Sequence, residues 1–195
     1  MSNYVTRTIL LLCLVAGLTA CSQKTPVVTN ISDQQVKAIQ VRSTAFDDGQ
    51  PIPAKYTEDG QDLSPPLRWD AVPEGVQEFV LICDDPDAPT AEPWVHWLIY
   101  KIPAATRELP EGLPTEATLD APIKARQGTN SWPDGRTSGY RGPAPPPGGV
   151  HHYHFKLYAL DRELDLLPGL AKTSLLKAIE GHVLAEGELV GTYQR

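Results

Sequence analysis

Three short stretches carry side chains able to do chemistry. Asp84-Asp85-Pro86-Asp87-Ala88-Pro89 closes an apolar run with three carboxylates. Trp94-Val95-His96-Trp97 sets a histidine inside a second apolar run, and His151-His152-Tyr153-His154 places three histidines in four positions. Carboxylates and imidazoles together suit metal coordination, acid–base catalysis or hydrogen bonding to a charged ligand. Strand geometry separates these options. Side chains alternate faces along a strand, so His151, Tyr153 and Phe155 share one face while His152, His154 and Lys156 share the other. Only His152 and His154 form a same-face pair. A stable zinc site needs three or four ligands, and Lys156 on that face opposes a cation, so no metal is expected. The same alternation puts Trp94, His96 and Leu98 on one face and Val95, Trp97 and Ile99 on the other. Prolines stop strand pairing, so the carboxylates of the acidic stretch turn out into a loop.

The elements that must position these groups are mainly strands. "VQEFVLICDD", "PWVHWLIYKIP" and "HHYHFKLYALD" are short apolar runs rich in β-branched and aromatic residues, as buried strands require. "IQVRSTAF" and the closing "ELVGTYQ" read as further strands. One helix is expected late in the chain, capped by Thr173 or Ser174, with Leu175, Leu176, Ile179 and Val183 at helical spacing. Nineteen prolines and fifteen glycines add many turns. The stretch from Ala104 to Gly149 is long and irregular, and such loops tend to carry function.

The N-terminus reads differently. Arg7 precedes "TILLLCLVAGLTAC", a short apolar run ending in small residues, which is the layout of a secretory leader. Leu18-Thr19-Ala20-Cys21 resembles the bacterial lipobox, in which the leader is cut before a cysteine that then carries lipid. The expected organisation is a leader over 1–20, a flexible tether over 21–38 and a folded domain over 39–195. Lipid on Cys21 would hold the chain in the bacterial cell envelope, facing the periplasm. Ser22 in place of an aspartate after the cysteine favours the outer membrane. Cys13 would leave with the leader and Cys21 would be modified, so Cys83 alone remains and no disulfide is expected. Lysine and arginine total 17 against 24 acidic residues, a net charge of −7. That disfavours nucleic acid as a partner, and none is expected; it also disfavours electrostatic adsorption to anionic lipid.

In order, "DLSPPLRWDAVPEG", "DPDAP", "PWVHWLIYKIPA", "GYRGPAPPPGGVHHYHFKLYALD" and "LAEGELVGTYQR" resemble the phosphatidylethanolamine-binding protein family, and specifically its bacterial Raf kinase inhibitor-like branch. The resemblance covers about residues 39–195. It implies a mainly β fold, with a large antiparallel sheet, a smaller sheet and peripheral helices, including the late one. It also implies a small pocket for phosphate-type anions or phospholipid headgroups. Carried onto this chain, the pocket holds Asp85, Asp87, His96 and His151, supported by Tyr153 and rimmed by Tyr140 and Pro145-Pro146. The resemblance further implies cis peptides at Ala88–Pro89 and Glu92–Pro93, where proline lowers the cost to about 0.5–1 kcal/mol.

No cofactor is expected. No G-x-S-x-G, H-E-x-x-H or phosphate-gripping glycine loop is present, so a non-enzymatic binding module is the leading reading and a hydrolase using the Asp/His pocket the weaker one. An inhibitor or interaction partner of an envelope protein, such as a protease, is the alternative. Export would separate the chain from cytoplasmic kinases, so kinase inhibition is not carried over. The anchoring expectation is directly testable: Cys21→Ala should abolish incorporation of labelled lipid, and persistent labelling would refute the lipobox reading.

Overall fold

The structure, a computed structural model, describes residues 37–135 and 137–195. The leader and Cys21 lie outside the described residues, as does most of the expected tether. The last two tether residues, Lys37 and Ala38, form β1 and pair in parallel with Ala185 and Glu186.

The large sheet is built around three long strands: β5 (Glu78–Asp85), β6 (Trp94–Pro103) and β10 (His151–Leu160). β5 lies in the middle, antiparallel to β10 on one side and to β6 on the other. All eight of its residues are buried, which explains why "EFVLICDD" reads as a continuous apolar run instead of an alternating one. β11 (Val183–Tyr193) pairs antiparallel with β10 along its length. β9 (Ala125–Gln127) and β8 (Thr118–Leu119) extend the sheet beyond β6. β1 and β3 (Gln50–Pro51) both join β11 in parallel, so the sheet is antiparallel through its body and mixed at one edge. β2 (Gln40–Ser43), β4 (Leu67–Asp70) and β7 (Glu108–Leu109) form the smaller sheet. Three short strands, β7 to β9, thus fall inside the stretch expected to be wholly irregular.

Two apolar layers sandwich the central strands. Phe79, Leu81 and Cys83 face the smaller sheet, with Trp69 edge-on to Phe79 at 5.3 Å between ring centroids. Val80 and Ile82 face the opposite way, packing with Leu98, Leu160, Leu175 and Ile179. The last two belong to α1 (Lys172–Ile179), the one α-helix among the described residues, in addition to a single 3-10 turn at Ala54–Tyr56. The helix starts earlier than the capping residues suggest. Ala171 is its N-cap, and Thr173 and Ser174 lie in its first turn. Lys172, its first residue, makes an ion pair with the buried Asp84 at the end of β5. Val183, expected on the helix face, opens β11.

Phe155 is fully buried in β10, tilted against Phe46 at 5.9 Å. Phe155→Ala should cost about 3–5 kcal/mol, read as a fall in the urea midpoint with an unchanged slope; a loss under 1 kcal/mol would contradict this packing.

Candidate functional site

A one-residue irregularity in the sheet creates the site. Along β5 and β6, Cys83 pairs with Trp97 but Asp84 pairs with Val95, leaving His96 without an opposite number. This is a β-bulge, which bends the strand and re-aims a side chain. Strict alternation, as expected from the sequence, would put His96 on the face of Leu98. The bulge instead turns His96 onto the face of Tyr153, 5.0 Å away ring to ring, while Leu98 packs toward α1.

The bulged residue is held from outside the sheet. The His96 carbonyl accepts the Arg141 N–H at 3.0 Å, and its ring Nδ1 lies 2.6 Å from the Arg141 carbonyl. A carbonyl only accepts, so Nδ1 carries the proton. Burial pushes the His96 pKa down to about 4, outweighing the Arg141 bond and the fields of Asp85, Asp84 and Asp62. His96 is therefore neutral at physiological pH, with Nε2 a lone-pair acceptor. Gly142 makes the approach of this segment possible: a Cβ there would sit 2.3 Å from the Tyr56 carbonyl oxygen.

β10 follows the expected alternation. His151 and Tyr153 are buried, His152 is exposed and His154 is half-buried. His151 Nδ1 lies 2.7 Å from Asp85 Oδ2, and the other Asp85 oxygen accepts the Asp87 N–H at 2.8 Å. Tyr153 is 1% exposed and its hydroxyl has no partner among the described residues. Burial, with Asp85 nearby, raises its pKa.

Together these groups line a cavity of about 200 Å³. Asp85, His96, His151 and Tyr153 form one side, and Pro145 with Pro146 supplies a stiff wall. Two expected members lie elsewhere. Asp87 is outside the lining and accepts from the N–H and Nδ1 of His152, bonds that lower its pKa. Tyr140 is buried beneath the site, its hydroxyl donating to the Tyr56 carbonyl and its ring edge-on to Trp97. Neither residue is among those lining the cavity. Ala88–Pro89 and Glu92–Pro93 are both trans, against expectation. The trans form is the default for X-Pro, and Ala121–Pro122 is the cis peptide among the described residues.

Trp94 and Trp132 complete the walls, edge-on to each other at 5.4 Å, with Trp132 also edge-on to His96 at 5.0 Å. Trp132 was not singled out by sequence. Its signal is a lone large aromatic in the polar loop "GTNSWPDG". Ser131 fixes it there by bonding both the N–H and the carbonyl of Val95, and the Asn130 side chain accepts the Trp132 N–H. The Arg141 guanidinium lies over the Trp132 ring, 4.6 Å from its centroid, is not among the lining residues, and pairs with Glu58 and Asp134.

Comparison with known proteins gives the family. A model described as phosphatidylethanolamine-binding protein matches residues 42–194. The chain belongs to the phosphatidylethanolamine-binding protein family. It is 49% identical over 157 residues to the UPF0098 protein of Methanothermobacter thermautotrophicus, covering 80% of this chain and 99% of that one. It is 50% identical over 154 residues to a UPF0098 protein of Pyrococcus horikoshii, covering 78% and 75%. Among solved structures it resembles a phosphatidylethanolamine-binding protein homolog from Chlamydia trachomatis, with a TM-score of 0.71, 39% identity and coverage of 82% and 99%. E. coli YbcL, described as a member of the mammalian family, gives a TM-score of 0.73 at 30% identity, covering 80% and 98%. The mainly β architecture of two sheets and a late helix is thus the family's fold.

The neutral, buried His96 has a consequence for stability. Its folded pKa is below the unfolded value of 6.5, so the unfolded chain binds more protons between pH 6.5 and 4. The contribution is fully present above pH 6.5 and is lost as the pH falls toward 4, by about 3 kcal/mol in total. His96→Gln should flatten the pH dependence of the melting temperature across this window; parallel curves for the two proteins would show that His96 does not titrate this way.

Proposed function

We propose that this chain is an envelope-anchored binding module of the Raf kinase inhibitor-like branch, and that the cavity takes a phosphate-type anion or phospholipid headgroup. The observation that carries the reading is the convergence of Asp85, His96 and His151 from three strands on one small cavity, with the unpartnered Tyr153 hydroxyl beside them. An unsatisfied buried hydroxyl costs about 1–3 kcal/mol, and a ligand oxygen would satisfy it. The Tyr153 hydroxyl can donate to a phosphate oxygen, and a protonated phosphate oxygen can donate to an imidazole nitrogen. Asp85 and the faces of Trp94 and Trp132 suit an ammonium group, which carboxylates and indole rings both attract.

The lining favours binding over turnover. Among the described residues it contains no serine or cysteine, and its one aliphatic hydroxyl, on Thr90, donates to the Glu92 carbonyl. Attachment through Cys21 would place the domain beside lipid headgroups, with more than one acyl chain needed for stable anchoring. Among the described residues no helix is long and apolar enough to cross a membrane.

Phosphoethanolamine should raise the melting temperature of the protein in a concentration-dependent way, and His151→Ala should remove the shift while leaving the fold intact by circular dichroism. The absence of any shift with phosphoethanolamine up to tens of millimolar (about 10–50 mM, several-fold above a weak millimolar Kd) would sink the headgroup reading.

A further inference from the structure

The hydrogen bonds around the two imidazoles restrict which form of a phosphate the cavity can accept. Both Nδ1 protons are already committed to the protein, His96 to the Arg141 carbonyl and His151 to Asp85. A neutral imidazole with Nδ1–H has only a lone pair at Nε2. His96 stays neutral because burial opposes its charge, even with the carboxylates of Asp85, Asp84 and Asp62 in its field. The rings packed on it, Tyr153 and Trp132, bring no charge.

Among the described residues, no lysine or arginine lines the cavity. The Arg141 guanidinium over the Trp132 ring is neutralised by Glu58 and Asp134, at 2.6 Å for the latter. A second proton on His151 would only balance the charge of Asp85, 2.7 Å away. With His96 neutral, the described ionisable groups lining the cavity therefore sum to zero at most. A fully ionised anion would meet lone pairs and a carboxylate, with the Tyr153 hydroxyl as one donor to set against them. A ligand that brings its own proton meets acceptors.

We propose that the cavity selects phosphate monoesters as their monoanions, the P–OH donating to a histidine Nε2, and discriminates against anions of the same shape that carry no proton. The Tyr153 hydroxyl donates to a second ligand oxygen. This deepens the headgroup reading above and rests on it.

Phosphoethanolamine and ethanolamine O-sulfate provide the test, titrated calorimetrically into the full-length chain at pH 5 and pH 7. The two differ by little more than the proton: a phosphate monoester loses its second proton near pH ~6, while the sulfate ester is a proton-free monoanion at both pH values. At pH 5 phosphoethanolamine should bind at least about tenfold more tightly, the worth of one hydrogen bond to a charged group. Its affinity should fall by about tenfold at pH 7, following the monoanion fraction. The sulfate ester's own pH response reports the protein's groups and corrects for them. Equal affinities at pH 5, or a phosphoethanolamine affinity that rises toward pH 7, would overturn the proton requirement and leave the headgroup reading standing. Failure of both ligands at both pH values would remove the headgroup reading itself, and this inference with it.

Discussion

His96 occupies a position where β6 has one residue more than β5 can match, and its backbone and ring both bond to Arg141. Removing the extra residue would restore alternation and return the imidazole to the helix-facing layer. The bulge exposes a carbonyl that β5 does not use, and the Arg141 N–H takes it. The Arg141 carbonyl then sets the tautomer of the ring. The same residue's guanidinium stacks on Trp132 and is neutralised by two carboxylates. One segment thus orients the imidazole, supports the indole wall and keeps its own positive charge out of the cavity.

The site is placed where the sheet can hold it rigid. β5 is buried on both faces along its whole length, and Asp84 and Asp85 end it with opposite directions. Asp84 points to the helix layer, where Lys156 at 3.3 Å and Lys172 compensate it. Asp85 points to the cavity and holds His151. Two adjacent carboxylates so acquire unrelated roles because a strand alternates its side chains. A buried charge needs such partners, since leaving one unpaired costs several kcal/mol. The cavity also keeps unfavourable features that a purely structural core would avoid, namely a neutral buried imidazole and an unpartnered tyrosine hydroxyl. Binding sites commonly retain such features at the expense of stability.

Much of the fold is legible in the sequence. The three long strands, the late helix and the split of His151 and Tyr153 from His152 and His154 follow from period-2 patterning and apolar composition, which act locally. The long connection from Ala104 to Gly149 is less legible, because β7, β8 and β9 are two or three residues each. Strands that short take their conformation from a neighbour and not from their own residues. The start of α1 is also misread: Thr173 and Ser174 are good caps locally, but Ala171 is the N-cap.

For the site, residue types and strand faces alone determine that a histidine and a tyrosine of β10 stand together, that the acidic turn leaves the sheet, and that no three-histidine cluster forms on one face. Tertiary structure alone decides that His96 joins them, because a bulge is a mismatch between two strands and neither strand encodes it separately. It likewise decides that Asp85 meets His151 while Asp87 goes to His152, that Tyr140 is spent on the Tyr56 carbonyl, and that Trp132 closes the wall. Each of these is a pairing between positions far apart in the chain. Local patterning says which face a side chain occupies, and only the register of neighbouring strands and loops says what it finds there.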